Sequence, residues 1–157
     1  MQVDVLVAFD SRRGTTASVG ERIGLVARGT TPQVTVGHVR TLHPERASQA
    51  DVLFLGAWVS GLVVVGVGPS EGAISWGERL PDLTGKVAGV FCTYGLNPRT
   101  TLARLSDLLS EKGAEVVAGN ASRRRNPFEG VDGFTREVMA VARQRFPRGE
   151  AARPSPR

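Results

Sequence analysis

The sequence predicts an α/β fold: a doubly wound, five-stranded parallel sheet with helices on both faces. Three observations predict it. Short apolar runs rich in valine recur five times, at residues 3–9, 34–39, 52–56, 87–91 and 115–118, and read as buried strands. The segments between them carry helical spacing or helix boundary signals, and strands joined by helical crossovers lie parallel. The length of 157 residues suits one domain, large enough to bury roughly 68–70 % of its unfolded surface.

The first strand runs directly into Asp10-Ser11-Arg12-Arg13-Gly14-Thr15-Thr16. Beyond it Val19, Ile23 and Val26 recur at i, i+4 and i+7, the apolar stripe of a helix, and Arg28-Gly29 supplies a stop. After the second strand, residues 40–50 are polar, include Pro44, and read as a connection with one helical turn. The third strand ends at Gly56 and opens a glycine-punctuated segment, 57–69, too apolar for a simple solvated loop. Ser70-Glu71 caps a helix toward Leu80, and Pro81 ends it. The fourth strand reaches Cys92-Thr93-Tyr94-Gly95. Asn97-Pro98 reads as the next helix start, with Leu102, Leu105, Leu108 and Leu109 inward and Gly113 as the stop. Residues 120–127 read as a loop after the last strand, and Asp132 opens a helix with Phe134, Val138 and Val141 inward. The expected domain is 1–146. Residues 147–157, rich in proline and arginine, read as a disordered basic tail.

Composition narrows the function classes. Hydrophobic content of 41 % with 22 % charged residues is ordinary for a globule. No signal-peptide pattern and no membrane-length apolar stretch is present; the longest apolar patch is 61–68. A cytoplasmic protein is the expectation. Cys92 is the only cysteine and His38 and His43 the only histidines, with no carboxylates clustered near them in the sequence. No metal site and no catalytic nucleophile–base pair is therefore expected. Both histidines read as groups on or near the surface, and Cys92 as buried and inert. Residues 120–157 carry nine arginines against four acids, the whole of the chain's +5; residues 1–119 balance eleven against eleven. Arg123-Arg124-Arg125 is the densest cluster. No aromatics interleave with it and no recognition motif accompanies it, which speaks against nucleic acid.

The stretch from Ser11 to Thr16 carries the chemistry. A turn from buried strand to helix aims backbone N–H groups and the positive end of the helix dipole at one point, which suits a phosphate. Ser11, Thr15 and Thr16 add hydroxyls, Gly14 permits close approach, and Arg12 and Arg13 can pair with a dianion or face solvent. An ordinary capped turn has the same outline. The loop is neither GxxxxGK(S/T) nor GxGxxG, which sets aside the two commonest nucleotide loops. Ser11-Arg12-Arg13-Gly14-Thr15-Thr16 resembles the phosphate loop of the flavodoxin family, (S/T)-x-T-G-x-T, with Arg13 in place of the central threonine.

That resemblance implies the strand order 2-1-3-4-5, with the ligand beside strands 1 and 3. It also implies flavin mononucleotide (FMN) as cofactor. The phosphate would lie on Ser11, Arg12, Arg13, Gly14, Thr15 and Thr16. The ring would lie between Ala57, Trp58 and Val59 on one loop and Thr93, Tyr94 and Gly95 on another, with the aromatics of Trp58 and Tyr94 suited to a flat apolar ring. The implied function is electron transfer to a protein partner, acidic in view of the arginines. The alternatives are an FMN-dependent NAD(P)H:quinone-type oxidoreductase and a flavin-free binding module. A phosphoacceptor receiver shares the strand order but needs an aspartate ending strand 3, where this chain has Phe54-Leu55-Gly56.

Overall fold

The computed structural model describes residues 3–60, 68–98 and 100–147. Strand β1 (Val5–Phe9) lies near the centre of one sheet, buried at every position, because a strand covered on both faces can be apolar throughout. It pairs in parallel with β2 (Val34–His38) on one side and β3 (Val52–Ser60) on the other. β3 pairs in parallel with β5 (Val87–Tyr94), and β5 with β6 (Glu115–Arg123). A two-residue strand, β4 (Gly68–Pro69), pairs antiparallel with the end of β3. The order is β2-β1-β3-β5-β6, which is 2-1-3-4-5 among the five parallel strands, as expected.

Alternation along the strands builds two cores. Val5, Val7, Val52, Phe54 and Phe91 meet helices α1 (Thr15–Ala27) and α4 (Val131–Arg145) through Ile23, Phe134 and Val138. Leu6, Leu53 and Leu55 meet α2 (Glu71–Glu78) and α3 (Thr101–Glu111) through Trp76, Leu105 and Leu109. A bidentate pair from Arg22 to Asp132, at 2.8 and 2.6 Å, joins α1 to α4. Among the described residues no helix is long and apolar enough to cross a membrane.

Four boundaries differ from the expectation. β3 continues past Gly56 to Ser60, because Val59 and Ser60 find partners in Pro69 and Gly68. β6 runs to Arg123 instead of stopping at 118. Asn120, Ala121, Ser122 and Arg123 pair with Phe91, Cys92, Thr93 and Tyr94, so the first half of the expected loop is edge strand without apolar alternation. α3 starts at Thr101, not at Pro98, which sits in a preceding turn whose carbonyl accepts the Thr101 N–H at 3.0 Å. α4 starts one residue early, at Val131, behind the left-handed Gly130. Most of the apolar patch at 61–68 and the expected tail beyond 147 lie outside the described residues.

Candidate functional site

The parallel strands all end on one edge, and the loop after β1 sits near the middle of it. Gly14 adopts φ 97°, a left-handed conformation that favours glycine, with no atom within 4 Å of where a Cβ would stand. That geometry turns the chain into α1 without a side-chain cap from the residue just before the helix. Ser11 braces the turn instead: its Oγ accepts from the Gly14 and Ala17 N–H groups, both at 3.1 Å. The Ser11 hydroxyl hydrogen stays available to donate outward. Among the described residues, the N–H groups of Arg12, Arg13, Thr15 and Thr16 have no protein acceptor. Four unpartnered donors in five consecutive residues, at the positive end of a 13-residue helix, are the chemistry that suits an anion.

Thr16 points the other way. Its hydroxyl is buried and lies 2.7 Å from the Thr93 hydroxyl, tying the start of α1 to the end of β5. Ser122, in register beside Thr93 on β6, is equally buried, and its hydroxyl has no partner. Three hydroxyls thus line the sheet edge beneath the loop.

His38 lies near the surface, as expected, with its side chain 17 % exposed, but it is engaged, packing edge-on against Phe9. Nδ1 lies 3.1 Å from the Arg40 N–H, and Nε2 lies 3.1 Å from the Ser11 N–H and 3.0 Å from the Ser11 carbonyl, with Asp10 Oδ1 3.5 Å away. A carboxylate therefore does stand beside His38, brought there by folding. The signal lay in the topology. In the order 2-1-3, the residue ending the second strand is in register with the one ending the first, here Phe9 with His38.

On the ring side, Trp58 is still within β3, half-buried, in register with Thr93. The Arg12 guanidinium lies 5.2 Å from its ring centroid, a cation–π contact. Arg12 is thus held over the indole. Arg13 is exposed. Tyr94 follows Thr93, so strand alternation puts Trp58 on the α1 side of the sheet and Tyr94 on the α2–α3 side. Ala57 is fully buried in the α2–α3 core and has only its backbone to offer a ligand; Val59 is half-buried opposite Pro69. Gly95 is exposed, and the Arg124 guanidinium lies so close over its Cα that a Cβ there would collide with it. Cys92 is buried, and burial pushes its thiol up to about 12.

These features define the class: an α/β protein with the flavodoxin-like strand order and a turn of unpartnered N–H groups after β1. No protein-family model and no curated protein matches the sequence. Solved structures match the fold. Oxidised flavodoxin 2 from Bacillus cereus is similar with a TM-score of 0.76 and 19 % identity, covering 88 % of this chain and 99 % of that one. A Fusobacterium nucleatum flavodoxin bound to flavin mononucleotide gives 0.68 and 14 %, covering 92 % and 99 %. Rubredoxin oxygen:oxidoreductase from Desulfovibrio gigas gives 0.72 and 15 %; the match covers 92 % of this chain but 38 % of that enzyme.

The residues present fit FMN at both ends of the molecule. The turn supplies unpartnered N–H donors, the Ser11 hydroxyl and clear space over Gly14, as a phosphate requires. A planar ring continuing the sheet edge between β3 and β5 would have Trp58 on one face and Tyr94 on the other.

Proposed function

We propose that this chain is an FMN-binding electron carrier. The observation that carries the reading is the turn after β1, with four N–H donors without protein acceptors at the start of α1. Ser11, Arg13, Gly14 and Thr15, with the N–H groups of Arg12 and Thr16, would surround the phosphate, and the exposed Arg13 would pair with the dianion. His38 fixes the Ser11 carbonyl and so sets the direction in which the adjoining amides point. Trp58 and Tyr94 would exclude water from the ring, with the Arg12 guanidinium beside the indole. When bound, FMN supplies one- and two-electron redox chemistry that no side chain here provides. The carrier docks with an acidic redox protein.

A second reading, oxidation of NAD(P)H, is favoured by one observation, the Arg124 guanidinium against the Gly95 loop, where a nicotinamide phosphate could be held. Anaerobic mixing of the FMN-loaded protein with NADH or NADPH separates the two. A carrier keeps its flavin colour over many minutes. Rapid bleaching, abolished when Arg123, Arg124 and Arg125 become alanine, would replace the carrier with the oxidoreductase.

A further inference from the structure

The turn between β6 and α4 gathers features that the cofactor does not use. Arg123 stands in register with Tyr94, and the Arg124 N–H donates to the Tyr94 carbonyl at 2.9 Å. The Arg124 guanidinium then covers Gly95, so the arginine turn and the β5 loop form one surface. Arg123 bridges back to Asn126, which closes the turn tightly and leaves Arg123, Arg124 and Arg125 exposed. None of the ion pairs among the described residues engages them, and Glu129 is the only acid between Thr93 and Val131 other than those of α3 and of the start of β6.

Two large apolar side chains flank this cluster. Leu96 is 79 % exposed and lies two residues past Tyr94; Phe128 is 50 % exposed and lies two residues past Asn126. Only one other large apolar residue among the described ones is comparably exposed, Leu25 on α1. Single exposed apolar residues are ordinary. Two beside one unpaired cationic turn, at the edge where the ring would stand, match an interface with an apolar centre and a charged rim.

We propose that Leu96, Phe128 and Arg123–Arg125 form a docking surface for an acidic protein, one presenting carboxylates around an apolar contact. The proposal deepens the carrier reading and rests on it for the partner's redox role, though not for the surface itself. Attraction between the arginines and the partner's carboxylates orients the encounter and weakens as salt screens it. Leu96 and Phe128 then hold the complex by burial, which salt does not weaken.

The test is a titration of the FMN-loaded chain with an acidic plant-type ferredoxin, followed by fluorescence anisotropy across a salt series. Cytochrome c, a basic protein, serves as the control. The parent should bind ferredoxin at low salt, lose about tenfold or more in affinity at high salt, and ignore cytochrome c. The triple variant R123E/R124E/R125E should bind about tenfold or more weakly at low salt and converge with the parent at high salt. The variant L96S/F128S should bind more weakly at every salt concentration with the salt slope unchanged. Both substitutions in that variant are at exposed positions, so it keeps the proposal falsifiable if the triple variant fails to fold. Affinities within twofold of the parent for both variants would overturn the proposal, as would equal binding of cytochrome c. If the chain takes up no FMN, the carrier reading fails, and the same titration on the flavin-free chain still decides the surface.

Discussion

The buried contact between Thr16 and Thr93 should be felt in the stability of the fold. The two hydroxyls lie 2.7 Å apart, both residues about 1 % exposed, with Ser122 in register beside Thr93. Replacing Thr93 by valine keeps the shape and strands the Thr16 hydroxyl in an apolar setting. A buried polar group left without a partner costs about 1–3 kcal/mol. For a chain of this size each kcal/mol moves Tm by roughly 2–4 °C, so Thr93→Val should lower Tm by roughly 2–12 °C. Thr16→Val should cost less, because the Thr93 hydroxyl can turn to the unpartnered Ser122 Oγ. The double variant removes both hydroxyls of the pair and should recover to within about 1 kcal/mol of the parent. Urea unfolding of the four proteins in the cycle reads this directly. Additive losses, or a Thr93→Val variant as stable as the parent, would refute the buried pair.

Three further outcomes concern the core, the α1–α4 ion pair and the lone cysteine. Gly56→Ala places a Cβ against the fully buried Phe91 ring, which has no room to yield, and should cost about 1–3 kcal/mol in denaturant unfolding. The Arg22 hydrogen bond holds the Asp132 carboxyl below its ordinary range, so that pair stabilises the fold at neutral pH and loses its contribution as pH falls through the lowered value. Thermal melts of the parent and Asp132→Asn should therefore differ at pH 7 and converge in strong acid; a constant gap would contradict it. Cys92, with its thiol pushed up to about 12, should resist a thiol reagent at pH 8 in the native state and react once urea unfolds the chain.

What was legible in the sequence was whatever local chemistry decides. Doubly buried strands such as β1 carry no polar residue, so their runs are visible without a structure. Gly14 between hydroxyl residues marked the turn into α1. The rest depended on pairing across the chain. β6 lacks apolar alternation because it is an edge strand, so its extension to Arg123 is set by β5 and not by its own residues. His38 lies 27 residues from Ser11 and meets it only because β2 abuts β1. Arg12, expected at the phosphate, lies over Trp58, a contact between residues 46 positions apart that no motif encodes.

A loop after β1 that holds the phosphate of a flavin, with the ring reaching Trp58 and Tyr94, would distinguish FMN from riboflavin, which has the same ring and lacks the phosphate. In parallel titrations of the purified chain followed by flavin fluorescence, FMN should bind one-to-one with strongly quenched emission and riboflavin about tenfold or more weakly, since charge-assisted hydrogen bonds are worth roughly 1.5–3 kcal/mol. Unchanged FMN emission at high protein concentration, or equal affinity for the two flavins, would contradict it.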